Sequence, residues 1–124
     1  MRVPLSIVLM AAAVAATSPS CATTTGPTTP VATPAGVRFV FVHAEARSVT
    51  LVGSFNQWST SSHPMSRAQS SGAWTAVVAL PPGEHLFMYV VDGAQWISPP
   101  LAEDYVDDGF GAKNGVVVVR PNER

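Results

Sequence analysis

Residues 72–96 read GAWTAVVALPPGEHLFMYVVDGAQW, and the reading of this stretch decides the fold. Val, Phe and Tyr crowd 74–80 and 86–91, residue types that fit a pleated, half-buried surface. Trp74, Ala76, Val78 and Leu80 share one face at period 2, which places Trp74 in the core. Pro81-Pro82-Gly83-Glu84 separates the two runs and is expected to close a hairpin between them. Asp92-Gly93 marks a second turn, after which 95–97 adds a short strand. The same texture recurs at 37–42, 49–53 and 116–119, with turn residues between the runs. No segment offers a ten-residue helical repeat with caps, and no internal repeat is present. Several strands at short spacing predict an all-β sandwich over residues 36–124.

The run at 49–60, VTLVGSFNQWST, starts as a strand and changes character at Gly53. Alternation from Leu51 makes Phe55 a core plug that fixes the loop, leaving Trp58 to face outward beside Asn56 and Gln57. A sugar ring has an apolar C–H face and a rim of hydroxyls. Its binder therefore needs a flat apolar platform with planar amides that donate and accept together, which Trp, Asn and Gln supply. The competing reading folds the Trp58 indole back over the sandwich as a lid.

The first 20 residues read as a secretory signal peptide: a minimal basic start at Arg2, a short apolar run to Ala16, then small residues. That run is too short to span a bilayer. Cleavage after Ala13-Val14-Ala15 would release a secreted protein. The preferred reading centres on Cys21, the only cysteine, which cannot form an internal disulfide. Its place after the apolar run resembles the lipidated cysteine of bacterial lipoproteins, although Ser18 stands where Leu is usual. The expected localisation is a bacterial membrane-anchored lipoprotein, in the periplasm or on the cell surface. Residues 21–35 form a Thr/Pro-rich linker that cannot bury enough surface to fold. Near polyproline geometry, 22–35 would reach about 40 Å.

The whole chain carries a formal net charge of −1. Within 36–124, six Arg or Lys face eight Asp or Glu, so there is no basic face for nucleic acid or anionic lipid. Contact with a membrane is expected only through a lipid on Cys21. His43, His63 and His85 lack metal-ligand spacing, and no nucleophile or zinc motif occurs. No metal or cofactor is expected. Glu103, Asp104, Asp107 and Asp108 read as a solvated charge run in a surface loop. The segment from Asp104 fails as a calcium loop, with Val106 at its third position and Gly115 at its twelfth. No catalytic residue is assigned.

Three stretches in order, VTLVGSFNQW, GAWTAVVALPPGEHLFMYVVDGAQW and DDGFGAKNGVVVV, resemble the family 48 carbohydrate-binding modules. These include the glycogen-binding domain of AMP-activated kinase beta subunits and the early-set domain fronting isoamylases and branching enzymes. The likeness covers about 37–121 and implies an immunoglobulin-like early-set sandwich that binds α-glucan without catalysis. It implies stacking on Trp58 and Trp96, an apolar side chain at Phe110 entering the curve of the glucan, and an amide at Asn114 contacting hydroxyls. A second Asn of the relatives is Gly115 here. One extra residue after the Asp-Gly turn puts the facing of Trp96 in question. Where kinase-type domains present a Lys, this chain has Met88, which packs against a ring but donates no hydrogen bond. Lys113 is the candidate to replace that cation. The expected ligand-binding set is therefore Trp58, Trp96, Asn56, Gln57, Phe110, Asn114, Met88 and Lys113. The alternative, favoured by Met88, is a sandwich that has lost its sugar and uses the same face for a protein partner.

Overall fold

The structure, a computed structural model, describes residues 28–68 and 72–121. The expected signal peptide, Cys21 and the linker up to residue 27 lie outside the described residues. In chain order the strands are β1 (Val31–Thr33), β2 (Gly36–Val42), β3 (Val49–Gly53), β4 (Ser66–Arg67) and β5 (Ala73–Val78). They continue with β6 (Gly83–Val91), β7 (Gln95–Ile97), β8 (Asp104–Asp107) and β9 (Lys113–Val119). A 3-10 turn, Ser54–Asn56, follows β3. Two antiparallel sheets result, ordered β1-β2-β5-β4 and β3-β6-β9-β8, with β7 added to β6. This is the expected all-β sandwich.

The core forms where the alternating apolar faces of the two sheets meet. Val37, Phe39 and Phe41 of β2 point inward while Arg38 stays exposed. They meet Leu51 of β3 and Phe87, Tyr89 and Val91 of β6. Phe41 stacks on Tyr89 with centroids 4.4 Å apart, and Phe39 meets Phe87 edge-on at 5.1 Å. Such pairs add about 0.5–1.5 kcal/mol each beyond the area they bury. Trp74 is buried as expected, and its indole N–H donates to the His43 carbonyl at 3.1 Å.

Three local expectations are corrected. Pro81-Pro82-Gly83-Glu84 does not close a hairpin, because β5 pairs with β2 and β4 whereas β6 pairs with β3, β7 and β9. The two prolines offer no N–H to a ladder, and the chain uses them to cross between sheets. The acidic run is not a loop throughout: Asp104–Asp107 forms β8, an edge strand on β9. Charge on such a strand opposes pairing with another chain. Val31–Thr33, inside the stretch expected as linker, pairs with β2, Val31 opposite Arg38.

The Asp92-Gly93 turn does join β6 to β7, with Val91 opposite Gln95. Asp92 Oδ1 accepts from the backbone N–H groups of Arg47 at 2.7 Å and Ser48 at 3.1 Å, which ties this turn to the entry of β3. The backbone N–H bonds from Ser48 and Arg47 hold the Asp92 carboxyl below the ordinary value of 3.8. A lowered carboxyl pKa contributes stability that is complete above that value and lost as the pH falls through the lowered one. Asp92→Asn keeps an acceptor oxygen and a residue type that tolerates the left-handed backbone here (φ 53°) while removing the charge. The variant should melt below the wild type near neutrality, and the gap should begin to narrow below pH 3.8 and close as the pH falls through the lowered value.

Candidate functional site

At the end of β3 the chain reverses through Ser54–Asn56 and then places Gln57 (φ 55°) and Trp58 (φ 58°) in the left-handed region. For residues with a Cβ this costs about 1–2 kcal/mol each, so something must hold the loop. Asn56 does so. Its Oδ1 accepts from Gly53 N–H at 3.0 Å, and its Nδ2 donates to the Leu51 carbonyl at 3.2 Å and contacts His63 Nδ1 at 2.8 Å. An amide NH2 only donates, so His63 Nδ1 accepts and its ring proton sits on Nε2. Trp58 N–H closes the turn onto the Gly53 carbonyl at 2.9 Å. Gly53 must lack a side chain, because a Cβ there would land on the Leu86 carbonyl and the Phe55 ring. Phe55 packs on the core against Phe39, the plug its alternation predicts.

The loop delivers Trp58 to the outer face of the second sheet. By alternation that face carries Met88 and Val90, which lie between the inward Phe87, Tyr89 and Val91, together with Val52 opposite Met88 and, on β9, Asn114 next to Gly115, the partner of Phe87. Val52, Met88 and Val90 form a second buried cluster, onto which Trp58 and Ala112 pack. Trp96 lies opposite Val90. The three residues between Val91 and Gln95 thus keep Trp96 on the Met88 side, and the extra residue does not turn it away.

A groove of about 560 Å3 lies over this cluster, lined by Trp58, Met88, Trp96, Asp108, Phe110 and Asn114. Trp96 is 46% exposed and Phe110 93%, so both present ring faces to solvent. Phe110 is held out by a turn built on Asp108, whose Oδ1 accepts from Phe110 N–H at 2.7 Å and Ala112 N–H at 3.1 Å. Gly109 (φ 83°) and Gly111 (φ 92°) supply the left-handed backbone that this turn requires.

Five of the eight expected ligand residues therefore converge: Trp58, Trp96, Met88, Phe110 and Asn114. Three do not. Asn56 and Asn114 are about equally buried, 8% and 9% exposed, but Asn114 lines the groove whereas the Asn56 amide is spent inside its loop. Gln57 is exposed next to Trp58 but does not line the groove. Lys113 lines a separate recess of about 460 Å3 with Ser98, Pro99 and Tyr105, and its Nζ lies 4.0 Å from Asp107. Asp108, a member of the acidic run, is a lining residue. Its signal was the Asp-Gly-Phe-Gly spacing, since an Asp before glycines commonly bonds the backbone two residues on. Indole faces, a phenyl ring and a primary amide around an apolar floor suit a ligand with apolar faces and a hydroxyl rim.

The family model for the glycogen recognition site of AMP-activated protein kinase matches residues 36–124. Over 65 residues the chain is 43% identical to the 1,4-alpha-glucan branching enzyme GlgB of Pseudomonas syringae pv. syringae, covering 52% of this chain and 9% of that enzyme. Over 77 residues it is 36% identical to the 5'-AMP-activated protein kinase subunit beta-1 of Rattus norvegicus, covering 62% of this chain and 26% of that subunit. The chain thus spans about a quarter or less of these two relatives.

Asn56→Asp tests the loop geometry: a carboxylate still accepts from Gly53 N–H but no longer donates to Leu51 or His63. Denaturant unfolding should show a loss of about 1–3 kcal/mol, the cost of leaving buried acceptors unpaired.

Proposed function

The chain belongs to the family of glycogen recognition sites of AMP-activated protein kinase, and from that premise we propose that it binds α-glucan chains without acting on them. The observation that carries this reading is the convergence of Trp58, Trp96, Phe110 and Asn114 on one groove. Glucose rings stack their C–H faces on the two indoles, and Phe110 enters the curve of the chain. The Asn114 amide donates to one hydroxyl and accepts from another. Met88 contributes an apolar, polarizable floor. Glycoside hydrolysis by the common route needs two carboxylates across the bond, whereas the groove lining holds one, Asp108. That supports a noncatalytic role.

Each aromatic platform contributes about 0.5–1.5 kcal/mol beyond area burial. After ordering costs, a linear glucan binds between roughly micromolar and millimolar Kd. Affinity of that order suits a polymer that engages many copies at once. An anchored array supplies such copies: the module is exported and held at a bacterial membrane by a lipid on Cys21.

Affinity electrophoresis of the full chain through gels containing glycogen, amylose or β-glucan tests the ligand. The α-glucans alone should retard it, and Trp58→Ala should weaken retention by about tenfold, the equivalent of about 1.4 kcal/mol. Free migration of the folded chain in all three gels would move the assignment to a protein-docking face. Metabolic labelling with a radioactive fatty acid tests the anchor, and the label should disappear in Cys21→Ala.

A further inference from the structure

Among the residues lining the groove, Asp108 is the only charged one. Its position is fixed, since Oδ1 is held by Phe110 N–H at 2.7 Å and Ala112 N–H at 3.1 Å, and Oδ2 has no hydrogen-bond partner among the described residues. No cation lies beside it in the lining. Lys113 faces the other recess, near Asp107, and the floor residue Met88 carries no charge.

We propose that Asp108 makes this groove selective for neutral α-glucan over glucan bearing anionic substituents such as phosphate esters. The inference rests on the α-glucan reading above and assigns a substrate class within it. A sugar hydroxyl donates to the free carboxylate oxygen in a charge-assisted hydrogen bond. A phosphate monoester at the same place has no proton to give when fully ionised, and it repels the carboxylate. Two unit charges about 5 Å apart disfavour binding by about fourfold at the dielectric of bulk water and by a few hundredfold at the effective value near a protein surface. A half-exposed groove falls between these limits, so about tenfold discrimination is expected. Salt should erode it, because screening acts over about 8 Å at physiological ionic strength.

The test is isothermal titration calorimetry of the full chain with maltoheptaose and with maltoheptaose phosphorylated at its 6-hydroxyls. The readout is the ratio of the two Kd values within each protein. Asp108→Asn keeps an acceptor for the Phe110 and Ala112 N–H groups and removes the charge. The wild type should favour the neutral ligand by about tenfold, and the ratio should fall at least threefold in Asp108→Asn and toward the same value in high salt. A wild-type ratio near one, tighter binding of the phosphorylated ligand, or an unchanged ratio in the variant would overturn the proposal and leave the α-glucan reading standing. Failure of the wild type to bind either ligand would overturn both.

Discussion

Strand β6 is buried on both faces over residues 87–91, and the site depends on that double burial. Its inward residues, Phe87, Tyr89 and Val91, belong to the main core, while Met88 and Val90 anchor a second cluster on the opposite face. The same strand pairs with β3, β7 and β9. Those partners bring the loop of Trp58, the strand of Trp96 and the strand of Asn114 to its outer side. The packing that makes the domain stable therefore also sets the spacing of the ligand platform. A change of register on any of the three ladders would send its aromatic or amide to the wrong face.

Around this floor the partly buried Trp58 and the exposed Phe110 are held by polar turns. Asn56 satisfies Gly53 N–H and the Leu51 carbonyl, and Asp108 satisfies two N–H groups under Phe110. The Asn56 bonds offset the cost of left-handed backbone at Gln57 and Trp58, whereas at the Asp108 turn Gly109 and Gly111 take up that backbone without it. A ring at the tip of a pinned turn loses less freedom on binding than one on a loose loop, which leaves more of its contact energy for affinity.

Strands were legible wherever the side chains themselves encode burial. The Trp74 face, the 49–53 run and the Phe55 plug follow from alternation and volume. What sequence hid was partner choice: Pro81-Pro82-Gly83-Glu84 signals a reversal but carries no information on which sheet receives the next strand. β8 was masked by its acids, because an edge strand paired on one side needs no apolar run. Asn56 shows the same limit at the site. An amide beside an outward Trp suits a sugar as well as it suits a buried carbonyl, and only the fold assigns it to the latter.

The resemblance implies a lysine where this chain has Met88, and the structure gives that difference a physical meaning. Met88 is 4% exposed on the groove floor, so an ammonium there would have to be desolvated. A carboxylate near enough to pair with would favour its charged form. Asp108 is the carboxylate that lines the same groove. With methionine in place the floor gains apolar contact, and Asp108 has no cation beside it in the lining. One substitution therefore moves the groove toward stacking and toward negative potential together. The ligand it fits presents an apolar face and hydroxyl donors and carries no charge of its own.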